Sequence, residues 1–318
     1  MEDKDIVVYT GPEDSFRFAE KVLGEKFSVV RVEPTEDSLF PKFVKCVAFL
    51  DASMKVRIPA DLINKAQSLK LVVTATTGAD HIDKDALGKR QIPLLTLKGE
   101  TEILNSFSGA AELSWLFLMA CARKFRGALD HVQDGKWERT EFPGIMLANK
   151  TLGIIGIGRL GSWMARYGHA FKMNVQAHDP FAETFPAEVK KIDLDTLLKT
   201  SDFISVHVHL SDDTRNLLSA DKIAKIKKGA SLINTSRGEI VDEEALVEAL
   251  ERGDIAAVGV DVLAGEPEID KNVLWQYSKT HEKVLITPHI GGFCPESVDR
   301  VVEFSAERIL KYFNEGQS

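Results

Sequence analysis

The sequence predicts an α/β fold built from two doubly wound parallel sheets. Two observations carry this. Short apolar, β-branched runs alternate with helix-like stretches twice along the chain, once on each side of a long apolar helical segment, which is the pattern of sheets covered on both faces. The length, 318 residues, suits two such units better than one.

In the first unit the strands are expected at "IVVYT" (6–10), "FSVVRV" (27–32), "CVAFLD" (46–51), "LKLVVTAT" (69–76) and "IPLLTL" (92–97). Between them "EDSFRFAEKVLG" and "PADLINKAQS" read as helices. One helical stretch is then expected from about Ser106 to Gly135, including the apolar "AAELSWLFLMACA" (110–122). That run is too short to cross a membrane and carries Glu112, so it reads as a buried helix. The second series has strands at "TLGIIGIG" (151–158), "NVQAHD" (174–179), "DFISVHVH" (202–209), "SLINTS" (231–236), "AAVGVDVL" (256–263) and "VLITPH" (284–289). Helices are expected at 159–171, 193–199, 219–227 and 242–252. The last of these opens on acids and closes on Arg252-Gly253, as the helix dipole and C-cap favour. A final helix is expected over 297–313.

Composition narrows the function. Asp and Glu number 48 against 40 Lys and Arg, a net charge of −8, so there is no basic footprint for nucleic acid. The start "MEDKDIVVYT" lacks the charged and apolar regions of a signal peptide. Cys46, Cys121 and Cys294 are scattered and odd in number, which argues against a disulfide framework and for a reducing, cytoplasmic setting. No residue cluster suggests a metal site.

"GIIGIGRLGS" (153–162) contains G-x-G-x-x-G at Gly156, Gly158 and Gly161, after a strand and before a helix. The first glycine suits a tight turn, the second a close approach of pyrophosphate, the third close packing of helix on sheet. The helix N-terminus then offers free N–H groups and positive dipole to phosphates. Asp179 ends the next strand, 18 residues beyond Gly161, where a carboxylate can accept from both ribose hydroxyls and repel a 2′-phosphate. The expected cofactor is therefore NAD rather than NADP.

Three chemically active residues follow the late strands: Arg237 after "SLINTS", Glu266 after "GVDVL" and His289 after "VLITP". An imidazole ionises near neutrality and suits proton exchange with a hydroxyl or carbonyl oxygen. A carboxylate beside it would orient the ring and stabilise the imidazolium. Arg offers a bidentate fork to a substrate carboxylate. Together they suit hydride transfer at a carbon bearing oxygen.

These stretches, with "TTGADHID" (76–83), "SGAAE" (108–112), "NKTLGIIGIGRLG" (149–161), "INTSRGEIVDEEAL" (233–246), "GVDVLAGEPE" (259–268) and "ITPHIGG" (286–292), resemble the D-isomer-specific 2-hydroxyacid dehydrogenase family over nearly the whole chain. The resemblance implies that Arg237, Glu266 and His289 are the catalytic residues. It implies that Asp261 faces the nicotinamide amide, and that His207, Thr235 and the backbone at Arg159 and Leu160 line the NAD site. The backbone around Thr77, Gly78 and Ala79 would bind the substrate carboxylate. It implies a flavodoxin-like substrate domain (1–101 plus 290–318), a Rossmann NAD domain (102–289), a cleft between them and a homodimer. The sequence ends in "KYFNEGQS" (311–318), so a form without a C-terminal regulatory domain is expected.

The sequence departs from the family pattern at His209, where Pro is common, and at Ser106 and Gly292. Asp51-Ala52 ends a strand where phosphoglycerate dehydrogenases tend to place basic residues; Asp51 is expected to repel a substrate phosphate, with Lys55 or Arg57 as the compensating cations. The expected reaction interconverts a D-2-hydroxy acid and its 2-keto acid. Two alternatives stand beside it: phosphite oxidation on the same scaffold, and a non-enzymatic NAD(H)-binding regulator.

Overall fold

The structure, a computed structural model, describes residues 4–316. The chain divides into two compact units: one formed by the chain up to Phe107 together with the chain from Phe293, the other by Ser108–Gly292.

The first unit holds β1 (Ile6–Thr10), β2 (Ser28–Arg31), β3 (Ala48–Asp51), β4 (Leu71–Thr74) and β5 (Leu94–Leu95). They pair in parallel in the order β2-β1-β3-β4-β5, the flavodoxin-like arrangement. The strand period of two sends side chains to two separate cores. Val8, Phe49 and Val72 pack on one face. Val7, Tyr9, Leu50, Leu71 and Val73 pack on the other. The helix Pro295–Glu315 joins that second core through Val298, Val302, Ala306 and Ile309, an i, i+4, i+8, i+11 stripe. This is why the end of the chain belongs with its beginning. Helices Glu36–Phe43 and Lys84–Lys89 also occur here and were not expected; Thr35 and Asp83 cap them, and the first has Pro41 inside it.

The second unit holds β6 (Thr151–Ile155), β7 (Asn174–His178), β8 (Lys190–Lys191), β9 (Phe203–Val206), β10 (Ala230–Asn234), β11 (Ile255–Val260) and β12 (Val284–Ile286). The order is β12-β11-β10-β9-β6-β7-β8, all parallel. This is the Rossmann order with one added strand, and it reverses between β6 and β9, where such sheets bind ligands. Strand β8 was not expected: it is two exposed lysines, a short charged edge that discourages further pairing.

The single helical stretch expected from Ser106 to Gly135 is two helices, Gly109–Ala122 and Phe125–Gln133. Lys124 between them takes a left-handed φ of 50°, which breaks the i to i−4 ladder and turns the chain. The segment Thr101–Ala122 is long and apolar enough to cross a membrane by length and composition. It is nonetheless split into Thr101–Leu104 and Gly109–Ala122. The longer piece spans about 21 Å, short of a bilayer core of about 30 Å. Its Ala111, Trp115, Leu118 and Ala122 are buried in one core with Ile154, Phe203 and Ile233 of the sheet.

Candidate active site

Strand register builds the site. His178, Ile155, Val206, Asn234, Val260 and Ile286 lie in one row across β7, β6, β9, β10, β11 and β12. The residue that follows each strand is Asp179, Gly156, His207, Thr235, Asp261 and Thr287. Neighbouring strands lie about 4.8 Å apart, so five of the residues picked out from sequence stand side by side along one sheet edge, with Thr287 as a sixth.

At the switch point the glycines are used differently from one another. Gly156 has φ +90°, and a Cβ there would lie 2.6 Å from the His207 carbonyl. A Cβ on Gly161 would lie 2.0 Å from the Gly156 carbonyl. Gly158 faces open space. Beyond it the helix Arg159–Ala170 begins at Gly158 with no side-chain cap, which sets the positive end of its dipole at the glycine loop, where an anion is favoured. Asp179 ties this loop to β7: one carboxylate oxygen accepts from Ile157 N–H (3.0 Å), the other from Phe181 and Ala182 N–H. His207 turns inward, with Nε2 on Ser205 Oγ at 2.7 Å. Burial pushes its imidazole down to about 3, so the ring is neutral at physiological pH. Thr235 Oγ1 meets Ser114 Oγ of the apolar helix at 2.7 Å.

Beyond β10, β11 and β12 come the three reactive groups. The buried Asn234 side chain donates to the Arg237 carbonyl (2.8 Å), and Ser236 Oγ donates to Val206 O, which together set the Arg237 turn. Glu266 Oε1 lies 2.5 Å from His289 Nδ1, with both side chains about one-third exposed. That contact engages Nδ1, so Nε2 is the ring nitrogen not held by Glu266. His289 holds a left-handed φ of 55°, uncommon for a residue with a side chain. Its N–H donates to the carbonyls of Asp261 (2.9 Å) and Thr287 (3.0 Å). The Asp261 carboxylate accepts from Thr287 Oγ1, Ile290 N–H and Gly291 N–H, stapling the His289 loop to β11. Burial pushes its carboxyl up, against the pull of those donors. Its side chain is thus an anchor for the His289 loop, a task the family resemblance did not suggest.

In the first unit, Thr77, Gly78 and Ala79 follow β4 in a turn closed by Thr76 Oγ1 on the Gly78 carbonyl (2.7 Å). Their N–H groups donate to no protein acceptor among the described residues. Asp51, expected to face a ligand phosphate, is turned inward. Its buried carboxylate points into the protein, where it accepts from Thr10 Oγ1 and from the N–H and Oγ of Ser53 on one oxygen, and meets His81 Nε2 (2.7 Å) and Met54 N–H on the other. Burial would raise this carboxyl, but His81, Thr10 and Ser53 hold it below the usual range.

The profile of the D-isomer specific 2-hydroxyacid dehydrogenase NAD binding domain matches residues 115–291, more than half of the chain. The chain belongs to the D-isomer specific 2-hydroxyacid dehydrogenase family. It is an NAD-dependent oxidoreductase acting on the CH–OH group of 2-hydroxy acids. It is 36% identical over 287 residues to a hydroxypyruvate reductase of Thermotoga maritima, covering 90% of this chain and 91% of that one. It is 38% identical over 259 residues to a D-3-phosphoglycerate dehydrogenase of Archaeoglobus fulgidus, covering 80% of this chain but 47% of the relative. The dehydrogenase thus spans about half the length of that relative. A solved D-lactate dehydrogenase of Aquifex aeolicus, complexed with NAD and lactic acid, matches with TM-score 0.82 at 28% identity, covering 98% of this chain and 96% of that one.

The residues present fit NAD. Open space at Gly158, where a Cβ would meet nothing, lets a diphosphate reach the backbone, and the Arg159–Ala170 helix end supplies donors. The Asp179 carboxylate closes the β7 end beside that loop, placed to accept ribose hydroxyls. Three supporting residues were not legible in the sequence: Ser114, Asn234 and Thr287.

Proposed function

We propose that the dehydrogenase reduces a short, unphosphorylated 2-oxo acid of the hydroxypyruvate and glyoxylate class to its 2-hydroxy acid, of D configuration where that carbon is chiral, and runs the reverse oxidation. The observation that carries the residue roles is the 2.5 Å contact between Glu266 and His289 at the carboxyl end of the sheet. NADH, when bound, supplies the hydride. His289 gives its Nε2 proton to the carbonyl oxygen as that oxygen gains negative charge, and takes it back in the oxidation. Glu266 holds the ring by Nδ1 and stabilises its positive form. Arg237 pairs with the substrate carboxylate and polarises the carbonyl. The substrate class is supported by the end-to-end likeness to the Thermotoga maritima hydroxypyruvate reductase.

The test is NADH oxidation across a panel of 2-oxo acids. Hydroxypyruvate or glyoxylate is expected to give the highest kcat/KM, well above phosphohydroxypyruvate; the opposite ranking overturns the substrate class. In the same assay, kcat/KM with NADH is expected to exceed that with NADPH, because a 2′-phosphate would meet the Asp179 carboxylate. Equal values would remove that role from Asp179.

We further propose a cytoplasmic homodimer. The scattered free cysteines support the compartment. The dimer is supported by apolar side chains exposed on the two helices after Ser108 and the segment that follows: Leu116 at 56%, Leu129 at 48%, Trp137 at 89% and Met146 at 76%. Light scattering is expected to give twice the chain mass, and Leu116→Arg is expected to halve it. A monomeric parent protein would end this proposal.

A further inference from the structure

The Glu266–His289 contact depends on the loop that carries Glu266, and that loop is weakly held by its own bonds. Glu266 N–H reaches Leu263 O only at 3.4 Å, and Leu263 N–H reaches Glu266 Oε2 at 3.4 Å. Two residues before Glu266 the loop is gripped. Ala264 N–H donates to Glu243 Oε1 at 3.0 Å. The Ala264 carbonyl accepts from Asn272 Nδ2 at 3.1 Å, and the same amide donates to Glu243 Oε2 at 2.5 Å. Asn272 cannot turn over, because its Oδ1 caps the next helix by accepting from Trp275 N–H. Behind the loop lies Gly238, next to Arg237, where a Cβ would sit 2.0 Å from the Ala264 nitrogen.

The burial of Glu243 is the telling feature. An acid in the first turn of a helix interacts with the dipole well enough from the surface. Glu243 instead is only 8% exposed and Asn272 9%. Burying a carboxylate is costly unless donors meet it. Burial, with Glu239 and Glu266 nearby, pushes its carboxyl above the usual range despite its two donors. A residue that serves only the helix has no need of this position; one that must reach the Ala264 peptide does.

We propose that Glu243 and Asn272 are positioning residues of the reaction, clamping the Ala264 peptide so that Glu266 stays against His289. This rests on the roles given above to Glu266 and His289. Both residues act through the loop and touch neither substrate nor cofactor.

The test is a double-mutant comparison in the intact dehydrogenase with NADH and the best 2-oxo acid of the panel. Glu243→Gln sets an amide N–H against either Asn272 Nδ2 or Ala264 N–H, donor against donor. It is expected to lower kcat by about 10- to 100-fold, the effect of misplacing a catalytic group, with KM and NADH binding unchanged. In a Glu266→Gln background the same change is expected to add nothing, because two residues acting through one contact are not additive. Glu244→Gln, on the exposed neighbour, is expected to leave kcat unchanged. A wild-type kcat in Glu243→Gln, or an equal fall in both backgrounds, overturns the proposal; the equal fall would mark Glu243 as merely structural. Where Glu243→Gln does not fold, Asn272→Ser decides by the same comparison, since serine keeps the helix cap but cannot reach Glu243. A Glu266→Gln variant with full kcat would remove the underlying reading, and is recognised from that single variant alone.

Discussion

His289→Ala is expected to lower kcat by about 10²- to 10⁴-fold while leaving NADH binding intact. The size follows from the job. Without an acid at the carbonyl oxygen, the developing alkoxide must take its proton from water. The selectivity follows from place. His289 lies beyond β12, whereas the glycine loop and Asp179, the proposed cofactor seat, lie beyond β6 and β7, on the far side of β9. NADH fluorescence titration and steady-state kinetics on one preparation check both halves. Turnover like the parent protein's would remove the acid–base role, and lost NADH binding would show that the loop has collapsed. The second outcome is guarded against by Asp261, whose carboxylate holds Thr287, Ile290 and Gly291 without help from the imidazole.

Arg237→Ala is expected to cost about 10²- to 10³-fold in kcat and to raise KM for the 2-oxo acid, again with NADH binding kept. The guanidinium is asked to meet a carboxylate in the ground state and growing charge on oxygen in the transition state, so both constants move. Arg237→Lys is expected to recover little, because a point charge does not reproduce the planar fork. The turn itself survives the substitution, since Asn234 holds the backbone carbonyl of residue 237 and Ser236 is tied to β9. A KM effect without a kcat effect would confine Arg237 to binding; no effect on either would remove it from the site.

Much of this arrangement is legible in one dimension because it is local. A β-branched run followed by glycines and an amphipathic helix specifies a βα unit with few neighbours consulted. Gly156, Gly158, Gly161 and Asp179 could therefore be placed at a strand–turn–helix junction and at the end of the next strand. Arg237, Glu266 and His289 were found by a rule of place, the carboxyl ends of parallel strands, which needs only the strand positions. Helix boundaries were less secure where no cap or proline marks them. The break at Lys124 needs a single left-handed residue in an otherwise helical composition. The helix Glu36–Phe43 forms in spite of Pro41.

What the sequence by itself determined is the alternation of strands and helices, the glycine loop, and the identity of the groups available at the strand ends. These depend on backbone sterics, periodic hydrophobicity and the chemistry of single side chains. Only the tertiary structure decided the row that sets Asp179, Gly156, His207, Thr235 and Asp261 side by side, the inward turn of Asp51 and His207, and the clamp of Glu243 and Asn272 on Ala264. Each of these depends on contacts between residues far apart in the chain. Whether a carboxylate repels a ligand, staples a loop or caps a helix is set by the donors that folding brings to it. Asp51, Asp261 and Glu243 are the same kind of group, and the packing around each gives it a different task.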